Sequence, residues 1–218
     1  WNVTREEADE YALRSQERLA AAYRNGITGN EIIPITLPAT RKTPEVVIDK
    51  DEFPRPGTTM EGLSKLRAVN KDGVTTAGNA SGRNDGAAFL LVMTAEKAKE
   101  YGYTPIAKWI GGAHHGVQED YMGIGPAYSN LKALKQLGLK VSDIDVVECN
   151  EAFAAQNLSV IREMEAQSGQ KIDMERWNPN GGAIAIGHPN GASGARISMF
   201  AMRQLEKTGG KYGIISSC

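Results

Sequence analysis

The sequence predicts an α/β protein, in which helices cover a β-sheet. From residue 105 onward, short apolar runs alternate with stretches at helical spacing, which is typical of βαβ units. The chain has 218 residues and is 41% hydrophobic, enough to build a core. The sequence contains no internal repeat of about 20–50 residues, which excludes a solenoid. The predicted elements are strands over 105–110, 144–149 and 212–218 and helices over 127–137, 151–166 and 191–206.

A further helix is predicted at the start of the chain. Thr4 and Glu7 have the spacing of a capping box, in which a hydroxyl and a carboxylate bond free amides at the helix end. Apolar residues then recur at helical spacing as far as Tyr23, and Gly26 supplies the stop. This pattern indicates an amphipathic helix of about six turns.

The segment over 31–60 has a different character. Ile32, Ile33 and Ile35 form a short apolar run that indicates extended structure. Prolines then interrupt the segment at Pro34, Pro38, Pro44, Pro54 and Pro56. Because proline lacks an amide donor and fixes φ, we expect edge strand and loop here rather than core.

Charge and composition exclude several classes of protein. With 25 Lys and Arg against 26 Asp and Glu, the net charge is −1, which provides no field for nucleic acid or an anionic membrane. No stretch approaches the roughly 20 apolar residues of a membrane span. Two cysteines make no disulfide framework, so we expect a reducing compartment and a cytoplasmic location.

Two features follow predicted strands, where ligands of α/β proteins tend to bind. The first is Asn150, directly after the strand over 144–149. Its side chain could cap the next helix or could take part in chemistry. Glu151, in the predicted first turn, is explained by the helix dipole.

The second feature is a glycine-rich loop over 178–194 that contains His188. Glycines let backbone approach a ligand closely, and His188 is the loop's ionisable side chain before the next helix. A loop selected only for packing or for binding phosphate is the alternative interpretation. Against phosphate, the loop has neither a Gly-Lys-Ser/Thr sequence nor GxGxxG.

The remaining cysteines and histidines give weaker signals. Cys218 ends the last predicted strand and would be ordinary core unless the fold brings it near His188. Cys149 lies within a strand and is expected to be inert core. His114 and His115 are adjacent, so their side chains point apart in extended structure, and we expect no zinc site.

Four blocks of the sequence closely resemble the thiolase family, and the Gly-His-Pro-x-Gly-x-Ser-Gly stretch in the last block is the most specific. The blocks are Thr76–Gly82 together with Asn84–Ala88, then Met122–Pro126, Asn150–Gln156 and Asn180–Arg196. The resemblance implies a layered αβαβα fold, of which this chain would supply mainly the C-terminal half and part of the loop domain. It divides the chain into part of the loop domain (1–73), a returning segment of the N-terminal half (74–104) and a truncated C-terminal domain (105–218).

The resemblance also implies an acyltransferase that forms or cleaves 3-ketoacyl-CoA by Claisen condensation or thiolysis. His188 would activate a nucleophilic cysteine, Cys218 would move protons, and Asn150 would hold a water that stabilises the enolate together with His188. The nucleophilic cysteine and the glycine-rich turn that follows Cys218 in the family are absent from this sequence. We therefore expect the chain to be a piece of a longer enzyme and to be inactive alone.

Coenzyme A thioester would be the substrate, with no other cofactor and no metal. By the resemblance, Ser81, Ala152 and Phe153 would contact the pantetheine arm, Met122 would line the acyl pocket and Arg55 would meet the nucleotide. The implied partners are acyl-CoA, the missing N-terminal half, and further copies in a homodimer or homotetramer.

Two other functions are compatible with parts of the sequence. A non-catalytic thiolase-like subunit could bind CoA or act as a scaffold, but the three polar residues implied for catalysis are all retained here. Condensation with a different extender, as in synthase-type relatives, is disfavoured by the Gly187-His188-Pro189 block.

Overall fold

The structure is a computed structural model that describes residues 1–28 and 31–218. Gly29 and Asn30, which fall within the predicted segment 1–73, lie outside the described residues. The helices are α1 (Arg5–Arg24), α2 (Met60–Ser64), α3 (Ala95–Glu100), α4 (Gly125–Leu137), α5 (Ala154–Ser168), α6 (Ala183–Ile186) and α7 (Ser193–Thr208). The strands are β1 (Ile35–Leu37), β2 (Val46–Ile48), β3 (Val146–Cys149) and β4 (Gly213–Ser216), and short 3₁₀ turns span Glu119–Ile124 and Val141–Asp143.

Helix α1 is capped as the sequence predicts. The Glu7 amide donates to the Thr4 hydroxyl at 3.2 Å, and the Thr4 amide donates to the Glu7 carboxylate at 2.8 Å. Its apolar stripe, which includes Tyr11, Ala12 and Leu19, is buried against α5 and α6. The helix at the start of the chain is therefore part of the core.

The α/β prediction is confirmed in the C-terminal region. Strands β3 and β4 are parallel, with Val146 opposite Gly213 and Cys149 opposite Ser216. Helix α7 precedes β4 and packs on both strands, while α5 follows β3 and packs between α1 and α4. The buried side chains of Tyr11, Val147 and Trp177 belong to one hydrophobic cluster at the centre.

The segments before this region present apolar side chains to solvent. Strands β1 and β2 form an antiparallel hairpin with all six residues exposed, and Ile32 and Ile33 precede it outside any strand. Residues 86–93 form neither helix nor strand, and Phe89 and Val92 are 87% and 84% exposed. Exposed apolar side chains grouped in this way are typical of surfaces that pack against another part of a protein or another chain.

The predicted strand over 105–110 is wrong: these residues are irregular, and Ile106 and Trp109 are exposed. A strand exists by hydrogen bonding to a neighbouring strand, and none lies beside this segment among the described residues. The predicted helix over 151–166 is also shifted, because α5 begins at Ala154.

Candidate active site

Asn150 lies at the carboxyl edge of β3, held through its backbone. Its amide donates to the Ser216 carbonyl at 2.9 Å, and its carbonyl accepts from Asn157 Nδ2 at 3.0 Å. The residue at the N-terminus of α5 is Phe153, which makes no side-chain cap bond. The interpretation of Asn150 as a helix cap is therefore wrong, and its buried side chain is free for another role.

Glu151 is not a first-turn residue interacting with a helix dipole, so that interpretation is also wrong. It precedes α5 and is 1% exposed. Its carboxylate accepts hydrogen bonds from Tyr11, Ser15, Asn178 and the amide of Ile184. The donors come from distant parts of the chain, so no local pattern could have identified them.

The backbone of His188 is fixed by the segment 82–84. Its amide lies 3.2 Å from both the Gly82 carbonyl and Asn84 Oδ1. Gly187 has a φ of 100°, and a Cβ there would collide with the Asn84 side chain. Glycine is thus required directly before the histidine. The role of Asn84 was not expected from the sequence, although it falls within one of the family-like blocks.

The imidazole of His188 bridges two polar side chains. Its Nδ1 lies 2.7 Å from Ser193 Oγ, and Ser193 Oγ donates to the Pro189 carbonyl at 3.2 Å. The serine oxygen is then the acceptor for Nδ1–H, which favours the tautomer with a lone pair on Nε2. That Nε2 lies 3.4 Å from Asn150 Nδ2.

Electrostatics favour the neutral form of this histidine. Burial lowers the pKa of His188 below its ordinary 6.5, and the charge of Arg196 lowers it further. Next to it, Asn150 Oδ1 is buried and has no hydrogen-bond partner among the described residues. The pair therefore offers a basic nitrogen and an open acceptor side by side.

The two cysteines occupy different environments. Cys149 is buried in β3, and burial raises the pKa of its thiol to about 12. Cys218 follows β4 at the edge where Asn150 lies, is exposed, and makes no side-chain hydrogen bond within the described part of the chain. Desolvation raises the pKa of Cys218, so it is a thiol at neutral pH.

Several residues expected to bind CoA lie together. The Ser81 amide donates to the Ala152 carbonyl at 2.9 Å, and Ala80 forms a β-bridge with Phe153. The Phe153 side chain is 44% exposed beside this contact.

Arg55 and Met122 are connected to this group less directly. The guanidinium of Arg55 lies 5.7 Å from the ring centre of Phe53, and that ring packs closely on Gly82. Met122 is exposed in the 3₁₀ turn before α4.

The other histidines are not part of this site. His115 stacks on Tyr128 with ring centres 5.1 Å apart, and the His114 carbonyl accepts from Lys132. Within residues 1–28 and 31–218, no three His, Cys, Asp or Glu residues are grouped as metal ligands. In that same part of the chain, no helix has both the length and the apolar character of a membrane span.

The site thus belongs to an α/β protein, with a histidine–asparagine pair at the carboxyl edge of two parallel strands. Family models give the narrower assignment: the C-terminal domain of thiolase matches residues 103–218, and the N-terminal domain of thiolase matches residues 1–96. The chain belongs to the thiolase family.

Individual relatives agree with this assignment. The chain is 48% identical over 219 aligned positions to a beta-ketoadipyl-CoA thiolase of Pseudomonas putida, covering 100% of this chain and 53% of that protein. The crystal structure of the Bacillus anthracis acetyl-CoA acetyltransferase superposes with a TM-score of 0.92 at 45% identity, covering 99% of this chain and 53% of its own. The crystal structure of human mitochondrial 3-ketoacyl-CoA thiolase in complex with CoA superposes with a TM-score of 0.84 at 39% sequence identity. That match covers 99% of this chain and 52% of the human chain.

The comparisons also define the extent of the match. The chain spans about half the length of the curated relatives it matches. It has the thiolase-like fold over essentially its whole described length, which confirms the fold class expected from the sequence.

Proposed function

We propose that this chain forms part of a thiolase that transfers acyl groups to or from coenzyme A. The reaction would be condensation of two acetyl-CoA into acetoacetyl-CoA and CoA, or the reverse cleavage of a 3-ketoacyl-CoA. The observation that carries the proposal is the pairing of His188 Nε2 with Asn150 Nδ2 at 3.4 Å, next to an unpartnered Asn150 Oδ1.

His188 would act first as a base. Its Nε2 lone pair takes the proton of a cysteine thiol, supplied by the part of thiolases that this chain does not span. The resulting thiolate attacks the thioester carbonyl, a new carbon–sulfur bond forms, and the bond between that carbonyl carbon and the CoA sulfur breaks. The departing CoA thiolate takes up the proton of the Cys218 thiol. The lowered pKa of His188 keeps the lone pair available at neutral pH.

The carbon–carbon bond would form in the second half of the reaction. Cys218, left as a thiolate after giving its proton to the departing CoA, removes an α-proton from the second acetyl-CoA. The enolate carbon then attacks the acyl-cysteine, whose carbon–sulfur bond breaks as the cysteine sulfur takes back the proton held by His188. A water that donates to Asn150 Oδ1 donates its other proton to the enolate oxygen, and protonated His188 Nε2 donates to the same oxygen. Preorganised donors of this kind are typically the largest contribution to such catalysis.

Binding of the CoA thioester is assigned to the cluster beside this pair. Ser81, Ala152 and Phe153 would contact the pantetheine arm, Met122 would line the acyl pocket and Arg55 would meet the nucleotide. The contacts that join Ser81 to Ala152 and Ala80 to Phe153 support this assignment. We propose no metal and no cofactor besides the CoA substrate.

The organisation of the complete enzyme is part of the same proposal. Residues 1–73 would belong to the loop domain, 74–104 to the N-terminal half and 105–218 to the C-terminal domain. The exposed apolar residues of 86–93 and 105–110 support packing against the remaining half of the enzyme. We further propose a homodimer or homotetramer and a cytoplasmic location.

The test uses a complete thiolase polypeptide that carries these 218 residues. We expect His188→Ala to lower kcat for thiolysis of acetoacetyl-CoA by about 10²–10⁴-fold. Loss of the acceptor in Asn150→Ala should cost about 10²-fold. His114→Ala, the same substitution at an exposed histidine, is the matched control and should leave kcat unchanged.

Two outcomes would refute the catalytic proposal. One is thiolysis at the wild-type rate in the His188→Ala and Asn150→Ala proteins. The other is a wild-type protein that binds CoA but turns over no acetoacetyl-CoA, which would favour a binding or scaffold subunit.

A further inference from the structure

A buried hydrogen-bonded connection joins helix α1 to both halves of the candidate pair. We propose that Ser15 and Glu151 are positioning residues, which set the separation between Asn150 and His188 without touching the substrate. The inference rests on the proposed function, because it assigns a role relative to that pair.

Ser15 uses its hydroxyl in both directions. Its Oγ donates to Glu151 Oε2 at 2.6 Å and accepts from the amide of Gly182 at 3.0 Å. Glu151 Oε2 also accepts from the Ile184 amide at 3.3 Å. Glu151 is the next residue after Asn150 in the chain. Gly182 and Ile184 lie at the start of α6, which ends immediately before Gly187 and His188.

The second carboxylate oxygen leads back to Asn150. Glu151 Oε1 lies 3.2 Å from the Tyr11 hydroxyl and 3.0 Å from Asn178 Nδ2. The Tyr11 hydroxyl is also 3.1 Å from Asn157 Oδ1, and Asn157 Nδ2 donates to the Asn150 carbonyl at 3.0 Å. Both Tyr11 and Asn157 are buried, so water does not compete for these bonds.

The glycine-rich loop packs directly against α1, so the position of α1 determines where the loop lies. A Cβ on Gly181 would lie 2.5 Å from the Ser15 carbonyl oxygen, and a Cβ on Gly182 would collide with the Glu151 carboxylate. The loop therefore rests directly on Ser15 and Glu151, with no space for an intervening side chain.

The contact between Asn150 and His188 is long, so it is sensitive to the bonds made by Ser15 and Glu151. At 3.4 Å, the Asn150–His188 contact is already at the long end of a hydrogen bond. Removing the Ser15 hydroxyl leaves the Gly182 amide without its acceptor, and Glu151 Oε2 keeps only the Ile184 amide as a donor. We therefore expect α6 to move more easily relative to β3. Because the Ser81–Ala152 contact involves neither Ser15 nor Gly182, the loss should affect kcat rather than KM.

The main experiment compares Ser15→Ala with Ser159→Ala in the complete polypeptide. Ser159 lies on α5, and its hydroxyl bonds only the Ala155 carbonyl within residues 1–28 and 31–218, so it is the matched control for loss of a hydroxyl. At a temperature well below unfolding, we expect Ser15→Ala to lower kcat by about 10-fold or more, since misplacement by about 1 Å can cost 10²-fold. KM for CoA should change less than about twofold, and Ser159→Ala should leave both constants unchanged.

A second readout does not depend on activity. The ring signal of His188, assigned by its loss in His188→Ala, should shift in Ser15→Ala and not in Ser159→Ala. A folded Ser15→Ala protein with wild-type kcat and an unshifted His188 signal would overturn the inference, whereas loss of activity in His188→Ala alone would leave the proposed function standing. If the wild-type protein lacks thiolase activity, the proposed function fails, and the His188 signal alone decides the inference.

If Ser15→Ala does not fold, a second variant and then a measurement on the wild-type protein test the inference. Glu151→Gln preserves volume and is the alternative to Ser15→Ala, with the same expected loss. If neither folds, hydrogen exchange of the Gly182 amide decides, because the inference requires protection as strong as that of the Val147 amide in β3. Rapid exchange of Gly182 would overturn it.

Discussion

The side-chain amide of Asn178 pairs with both backbone groups of Cys149. Asn178 Oδ1 accepts from the Cys149 amide and Asn178 Nδ2 donates to the Cys149 carbonyl, each at 2.8 Å. The amide takes the place of a neighbouring strand at the last residue of β3, directly before Asn150. Asn178 itself has a φ of 43°, which asparagine tolerates better than most residues.

Asn178→Ala should therefore be strongly destabilising. It leaves two buried backbone groups of Cys149 unpaired, each at a cost of about 1–3 kcal/mol. We expect the free energy of unfolding of the complete polypeptide to fall by about 2–6 kcal/mol, measured by urea denaturation. Asn190→Ala, at an exposed asparagine, is the control. Equal effects of the two substitutions would contradict the pairing.

The pH dependence of thiolysis should reflect the environment of His188. Burial and the charge of Arg196 lower the pKa of His188 below 6.5, so the neutral imidazole predominates at pH 6.5 and the basic lone pair is lost as the pH falls through that lowered pKa. The acidic limb of kcat/KM for acetoacetyl-CoA should have its midpoint below pH 6.5. The residual rate of His188→Ala should lack this limb. A wild-type midpoint above 6.5 would show that burial does not control this group.

Two glycine substitutions should separate close packing from simple backbone effects. A Cβ on Gly182 would collide with the carboxylate of Glu151. A Cβ on Gly191 would have no atom within 4 Å among the described residues other than its own chain neighbours. We expect Gly182→Ala to lose several kcal/mol of stability or to fail to fold. Gly191→Ala should change stability by less than about 0.5 kcal/mol. Thermal melts of both variants test this contrast, which comparable melting temperatures would refute.

The thiols of Cys149 and Cys218 should differ in reactivity. Burial raises the pKa of Cys149 to about 12 and shields its sulfur, whereas Cys218 is exposed. At pH 8, iodoacetamide should modify Cys218 at least about tenfold faster than Cys149, measured by peptide mass spectrometry of the 218-residue chain. In urea both should react readily, and equal rates without urea would contradict the burial of Cys149.

The 218-residue chain should self-associate when purified, because apolar side chains of 86–93 face solvent. Light scattering after size exclusion should give a mass above that of a monomer. Replacing Phe89 and Val92 together by Glu should lower that mass, whereas Lys99→Glu at an exposed lysine of α3 should not. A monomeric wild-type chain would show that this surface does not drive association.

Features fixed by neighbouring residues were predictable from the sequence. The capping box of Thr4 and Glu7, the helix that follows it and the apolar runs that become β3 and β4 are each visible in the local pattern. The family-like blocks also identified Asn150 and His188 as candidates, and their proximity is confirmed by the structure. The catalytic roles of Asn150, His188 and Cys218 and the CoA-binding roles of the other candidates stay predictions.

Features that depend on distant partners were not predictable. Glu151 resembled an ordinary first-turn acid, but its donors Tyr11 and Ser15 lie 140 and 136 residues away. Residues 105–110 have the composition of a strand, yet a strand requires an adjacent strand that no local pattern supplies. Asn150 resembled a cap because helix boundaries are the least certain part of any sequence pattern.

The placement of α1 has a consequence for how the protein folds. The helix leaves the ribosome long before the residues against which it packs, since Tyr11 and Glu151 are separated by 140 positions. At about 5–20 residues per second, that separation corresponds to roughly 7–28 s of synthesis. During that time the α1 residues that pack on α5 and α6 lack those native partners, whereas α2, which also contacts α1, is synthesised earlier. The candidate active site is then among the last parts of this chain to form.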